Sequence, residues 1–268
     1  MKFTRYLILF SFFFGTLTQA STHLILIGGG KRPKEAMRTF VEKAGGQQAH
    51  IVIIPWASGS TQSAESIRNE LAPLQPASIE VMQPYNIKKT NLFRYSKKIE
   101  TQLQNATGIF FTGGDQNKLM KTMNTFELRD RMRVMYHNGV AFAGTSAGTA
   151  IMSKRMITGK SNPTVFDGTQ VVLTEGLGLL PEEIIVDQHF IVRQRFNRLA
   201  SLILEHPETY GIGIDENNAL HVINNRIALP IGSTQLTLIE KDAEQRLKVT
   251  YKKDGEIFNL FDLKSSGL

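Results

Sequence analysis

The apolar positions come in short blocks of four or five residues, separated by longer stretches that repeat at helical spacing. His23–Ile27 reads as a buried strand that runs into Gly28-Gly29-Gly30. A helix is predicted over 34–44, closed by Gly45-Gly46, then a strand over Ile51–Ile54 before Pro55. A helix around Ala64–Leu71, a third strand over Ile79–Met82 and a helical stretch at Ile99–Leu103 follow. Gly108–Phe111 is a fourth strand, ending in Thr112-Gly-Gly-Asp-Gln116. One helix is predicted over 118–136, and a fifth strand over 140–143. Continuous apolar strands alternating with helices indicate a parallel sheet covered on both faces, because each strand must then be apolar on both sides. The expected fold is a doubly wound parallel α/β sheet, whose ligands sit at the carboxyl ends of its strands.

Beyond Ile157 the pattern changes. Residues 158–180 are glycine-rich and irregular, and 187–204 read as a polar start followed by a helix. Short strands and hairpins are predicted at 212–214, 219–223, 226–229 and 235–239, with Asn224-Asn225 as a tight turn. No linker or internal repeat is visible. The expectation is one domain over 21–268, carrying an antiparallel C-terminal extension of the sheet.

Residues 1–20 stand apart. Lys2 and Arg5 precede the apolar run Leu7–Phe14, and Thr18-Gln-Ala20 ends in small residues. This is the pattern of a cleaved secretory signal peptide and implies export to a periplasm or the exterior. The apolar run is short for a membrane span, so no stable span is expected after cleavage. The 268-residue chain has no cysteine, which excludes disulfides, a thiol nucleophile and thiolate metal sites. Its net charge of +7 falls to about +5 without Lys2 and Arg5. The lysine pairs 88–89, 97–98 and 252–253 are isolated, whereas a nucleic-acid footprint would need a basic stripe. No nucleic-acid partner is expected.

Candidate chemistry begins at Gly144-Thr-Ser-Ala-Gly148, a G-x-S-x-G placed between a strand and a helix-like segment. Such a turn lifts Ser146 out of the sheet with a helix N-terminus behind it. Ala147 can offer an uncrowded N–H to a developing oxyanion. Alone, the motif is better described as a glycine turn with a surface serine. A serine needs a base, and that base needs a third group to hold it. Five of the six histidines sit at strand ends, within a strand or before turns; His189 instead lies in Asp187-Gln-His-Phe-Ile-Val-Arg-Gln-Arg-Phe-Asn-Arg198.

These segments, with Phe111-Thr-Gly-Gly-Asp-Gln116 and Gly211-Ile-Gly-Ile-Asp-Glu216, resemble the cyanophycinases, a serine peptidase family that also contains the aspartyl dipeptidases. They occur in the family's order and span roughly 24–231. The resemblance implies a flavodoxin-like fold related to class I glutamine amidotransferases; those enzymes carry a cysteine at the elbow, and this chain has none. It implies Ser146 as nucleophile, His189 as general base and Glu216 as the orienting acid. Gly114 and Ala147 would form the oxyanion hole. Gln116, Asp187, Gln188, Arg193, Arg195 and Arg198 would bind substrate. The order Ser…His…Glu differs from the Ser…acid…His of α/β-hydrolases. Asp215 is a rival to Glu216, since adjacent strand residues face opposite ways.

The substrate implied is cyanophycin, an aspartyl polymer with arginine joined through each β-carboxylate, cleaved to dipeptides through an acyl-enzyme without metal or organic cofactor. Arginine forks suit its carboxylates, and Asp187 would suit its guanidinium. Relatives are often dimeric, which makes a homodimer an expectation. One departure is Lys31-Arg32-Pro33, where family members commonly carry acidic residues. Thr149 also stands where a small apolar residue is usual. Two other readings remain: a related peptidase acting on other aspartyl or isoaspartyl peptides, and an exported binding protein that has lost turnover, which a serine-directed fluorophosphonate would distinguish from an enzyme.

Overall fold

The computed structural model describes residues 20–84, 91–159, 165–206 and 209–265. The signal-peptide reading falls on 1–19, outside them. In chain order the elements begin with β1 (His23–Ile27), α1 (Lys34–Lys43), β2 (His50–Ile54), α2 (Gln62–Leu71), β3 (Ser78–Val81) and α3 (Leu92–Gln104). They continue with β4 (Gly108–Phe111), α4 (Gln116–Thr125), α5 (Arg129–His137), β5 (Ala141–Thr145) and α6 (Ala147–Ala150). Then come β6 (Arg155–Ile157), β7 (Leu173–Glu175), β8 (Ile184–Gln188), α7 (Phe196–Glu205), β9 (Tyr210–Ile214), β10 (Asn218–Ile223) and β11 (Ile227–Gly232). The last are β12 (Leu236–Lys241), β13 (Leu247–Lys252), β14 (Phe258–Asn259) and α8 (Asp262–Ser265). Among the described residues no helix is long and apolar enough to cross a membrane.

The main sheet has the order β14-β11-β10-β1-β5-β4-β2-β3, and its five strands from β1 to β3 are parallel. Its strands are apolar on both sides because both faces are covered. Ile25, Ile27, Ile51, Ile53 and Phe110 pack with Phe40 of α1 and Ile67 of α2. The alternate residues Leu24, Leu26, Val52, Ile54 and Phe111 pack with Ile99, Leu119, Met132 and Tyr136 on the opposite side. This is the expected doubly wound α/β sheet. The antiparallel C-terminal strands are present, but they divide between two sheets. β10, β11 and β14 extend the main one, whereas β12 and β13 join β9 and β8 in a second sheet of order β13-β12-β9-β8. Asn224 and Asn225, both at positive φ (53° and 51°), make the tight turn between β10 and β11.

Three local expectations are corrected. The single helix over 118–136 is two helices, α4 and α5. The chain turns at Glu127 (φ 52°) while Phe126 leaves the helix to pack on Trp56 and Tyr95. In 187–204 the helix follows the polar start as expected, but Asp187 and Gln188 of that start belong to a strand. Ile184-Ile-Val-Asp-Gln188 is a buried strand parallel to β9, and helix begins only at Phe196. The β-branched run extends into two polar residues because Asp187 is paired inside the core. Within 158–180, described as irregular, Leu173–Glu175 pairs with β6 as a small hairpin.

Candidate active site

The glycine turns at 28–30, 113–114 and 144–148 fall at the carboxyl edge of the parallel sheet, where strand ends leave backbone groups unpaired. Ser146 follows directly on β5 and adopts φ 52° and ψ −114°, a strained conformation for a non-glycine residue. Its N–H donates to Ile27 O (3.0 Å), which fastens the turn to β1. The hydroxyl of Thr149 lies within donating reach of Ile27 O (2.6 Å) and Gly144 O (2.8 Å), so it ties down the elbow from inside. A side chain on Gly148 would strike Phe111 O at 2.3 Å, so only glycine lets α6 approach β4 this closely.

His189 follows directly on β8, at φ 51°, with its N–H on Gly28 O (2.9 Å). Its Nε2 lies 2.7 Å from Ser146 Oγ, and its Nδ1 lies 2.6 Å from Glu216 Oε1. A carboxylate can only accept, so Nδ1 carries the proton and Nε2 presents its lone pair to the serine hydroxyl. Burial holds the imidazole below the usual histidine range. Glu216 opposes that shift, while the charges of Arg193 and Arg195 add to it. The ring is therefore neutral near pH 7, the form that can accept a proton.

Glu216 and Asp215 come just after β9, and they separate. Asp215 Oδ1 accepts from the N–H groups of Ile191 and Val192 (both 3.1 Å), capping the turn that carries His189. Glu216 reaches the imidazole. Its loop is held by Asn217, whose N–H donates to Gly29 O (2.9 Å) and whose Oδ1 accepts from Lys31 N–H (2.8 Å).

Gly113 lies against the serine: a methyl group there would be 3.4 Å from Ser146 Cβ. Gly114, at φ 138°, is pressed on Ala57 and Ser58. Among the described residues the N–H groups of Gly114 and Ala147 meet no protein acceptor. Both are thus free to donate beside the hydroxyl.

The six expected substrate contacts do not behave as a set. Asp187 is wholly buried, and Arg198, 3% exposed, grips both its oxygens, with Nε to Oδ2 at 2.7 Å. Arg195 Nη1 donates to Gln188 O (2.5 Å) and lies 3.5 Å from Asp187. This correction has a plain physical cause. A carboxylate inside a strand must be paired, and arginines placed eight and eleven residues later supply the partners. Asp187 is not available to a substrate guanidinium, and Arg198 is structural. Gln116 is also committed, donating from Nε2 to Ile157 O (3.0 Å). Arg193 is different. It is exposed, and its guanidinium has no partner among the described residues. The Gln188 side chain is buried next to His189 and likewise makes no hydrogen bond among them. The sequence reading missed Gly29 as part of the site. A methyl group there would lie 2.2 Å from His189 Cε1, and the only signal was the length of the glycine run. Among the described residues there is no cluster of three potential metal ligands.

Comparison with known proteins gives the family and the fold. The sequence model of peptidase family S51 matches residues 24–229. The chain is 32% identical to a cyanophycinase of Nostoc sp. over 227 residues, 83% of this chain and 75% of that one. It is also 32% identical to a cyanophycinase of Geminocystis herdmanii over 239 residues, 87% and 84% of the two chains. In fold it is similar to the crystal structure of a peptidase from an acI-B1 Actinobacterium, with a TM-score of 0.66, 20% identity and coverage of 90% and 97%. Fold and site together define a serine-type peptidase, a hydrolase on a doubly wound α/β sheet. The chain belongs to peptidase family S51 and is of the cyanophycinase and peptidase E type.

Proposed function

We propose that this peptidase cleaves β-linked aspartyl-arginine polymer to dipeptides after export. The observation that carries the chemistry is the unbroken line Glu216 Oε1–His189–Ser146 Oγ, with contacts of 2.6 and 2.7 Å. Ser146 Oγ attacks the aspartyl carbonyl while its proton passes to His189 Nε2. Glu216 stabilises the imidazolium. The N–H groups of Gly114 and Ala147 receive the oxyanion. The C–N bond then breaks, the amine leaves with the proton from His189, and an Oγ–acyl ester remains. Water, deprotonated by His189, hydrolyses that ester. Arg193 takes a free carboxylate of the substrate next to the scissile bond, with Gln188 as the neutral partner beneath it. The export part rests on the pattern of Lys2, Arg5 and Leu7–Phe14.

The test is purified protein incubated with cyanophycin and with β-aspartyl and α-aspartyl peptides. Cleavage of the polymer with release of β-aspartyl-arginine is expected. An enzyme that takes a fluorophosphonate at Ser146 but leaves the polymer intact would end the substrate assignment. Ser146→Ala and His189→Ala should each lower kcat by several orders of magnitude, with the double variant no worse, as for groups that act as one unit. Glu216→Gln should be severe. Asp215→Asn should act through the turn alone, and the reverse ranking of these two acids would overturn the role given to Glu216. N-terminal sequencing of the mature protein from its host checks cleavage near Ala20.

A further inference from the structure

The loop from β1 to α1 lines a groove of its own. The cavity of about 610 Å³ runs from Gly30 along Lys31, Lys34 and Arg38, with Met37 and Leu74 among its apolar walls. It abuts the catalytic line. A methyl group on Gly30 would lie 3.0 Å from Glu216 Oε2, and Lys31 is tied by its own N–H to Asn217 beside Glu216. The groove and the triad acid are thus fixed to each other through Asn217, whose side chain holds Lys31 N–H and whose own N–H is held by Gly29 O.

The charges in it are not equivalent. Arg32 is spent: its Nε donates to Glu70 Oε2 (2.6 Å), and its guanidinium also reaches Ser66 Oγ (2.8 Å). That pair is neutral overall. Arg38 meets Glu35 at 2.8 Å, but both side chains are more than half exposed, and such surface pairs hold weakly. Lys31 and Lys34 are exposed and have no acidic partner among the described residues. The groove therefore carries an uncompensated positive charge on apolar walls, an arrangement that suits an acidic residue with an aliphatic stem. A cationic group entering there would meet like charge and no acceptor but the occupied Glu70.

We propose that this groove is a substrate subsite for an acidic residue flanking the scissile bond, so that the preferred substrates are acidic peptides with free carboxylates on that side. The proposal rests on the peptidase reading above and narrows its substrate class. An arginine-bearing unit is accepted there through its free α-carboxylate, not its guanidinium.

Binding and turnover test it separately. In the Ser146→Ala protein, fluorescein-labelled hexaglutamate should bind at least tenfold tighter than hexaglutamine at low salt. Lys31→Glu with Lys34→Glu should abolish that preference, and Lys31→Gln with Lys34→Gln should reduce it. The control Lys97→Glu with Lys98→Glu makes the same charge change on α3 and should leave it intact. Thermal melts check that each variant folds. Equal binding of the two peptides, or equal loss in the α3 control, overturns the subsite. In the active enzyme, β-aspartyl peptides flanked by Glu, Gln or Lys should be cleaved in that order of kcat/KM, and the order should reverse in the Lys31→Glu, Lys34→Glu protein. An unchanged order in that protein also overturns it. If no β-aspartyl peptide is cleaved while the binding preference holds, the cleavage reading fails and the acidic subsite stands.

Discussion

The imidazole of His189 packs directly on Gly29: a methyl group on that glycine would lie 2.2 Å from Cε1 and 2.7 Å from Nε2. Gly29 also adopts φ 127°, a region that side chains rarely enter. Gly29, two residues past β1, is therefore a floor for the base, beyond the end of the strand next to the one that leads to the serine. Gly29→Ala should lower kcat/KM by at least about 100-fold, the scale on which misplacing a reacting group by an ångström acts. Fluorophosphonate labelling of Ser146 should slow in parallel. Steady-state kinetics on a β-aspartyl peptide with a circular dichroism melt checks this; a folded variant with wild-type turnover would deny Gly29 this role.

The pH dependence should follow His189. Only its neutral form accepts the serine proton, so kcat/KM should fall as pH drops through the pKa of the free enzyme. Burial, with Arg193 and Arg195 adding to it, lowers that pKa, which places the acid limb below 6.5. Arg193→Ala removes one lowering charge and should move the limb upward. A pH–rate profile of both proteins is the check, and a downward shift would contradict the assignment.

Arg193 and Arg198 were grouped by sequence but should fail in opposite ways. Arg198→Ala leaves Asp187 charged and wholly buried, and breaking a buried pair on one side costs about 3–5 kcal/mol. A large fall in Tm is expected. Arg193→Ala, at an exposed position, should leave Tm within a few degrees and raise KM by about 10-fold or more, the scale for losing a charge-assisted contact. Differential scanning fluorimetry beside steady-state kinetics separates the two; matching Tm losses would mean that Arg193 is structural.

A histidine pair away from the active site should govern acid stability. His23 Nδ1 and His221 Nε2 are 3.1 Å apart across β1 and β10. Burial, then the charges of His23 and Lys43, holds His221 down at about 4. Because the folded pKa lies below the unfolded one, stability is intact above about pH 6.5 and is lost as pH falls from there toward 4. The shift corresponds to about 3 kcal/mol at its limit. Urea denaturation between pH 7 and 4 measures the loss, and His221→Gln should flatten the curve. An unflattened curve would place the acid sensitivity elsewhere.

Much of this molecule is local and so was legible along the chain. Apolar blocks such as Leu24–Ile27 and Ile51–Ile54 can only be strands covered on both faces. Glycine at 28–30, 113–114, 144 and 148 marks turns where the backbone runs close to other groups. The strand–serine–helix step at Ser146 was written in the apolar run at 140–143 and the glycines at 144 and 148. The peptidase class followed from four such segments in order.

What the chain could not decide by itself depends on how strand ends meet. Residues 215 and 216 both carry carboxylates, and the motif resemblance, not the residue pattern, favoured Glu216. In the fold Asp215 turns to cap residues 191 and 192, and Glu216 turns to His189, because β8 and β9 end side by side in the second sheet. The same holds for Asp187, Arg195 and Arg198. As a string of charged residues they look like a substrate clamp. Burial of β8 removes water from Asp187, and a buried carboxylate must be answered from within the protein. Which charges face a substrate and which face each other is settled by solvent exclusion, and that exists only once the sheets have closed.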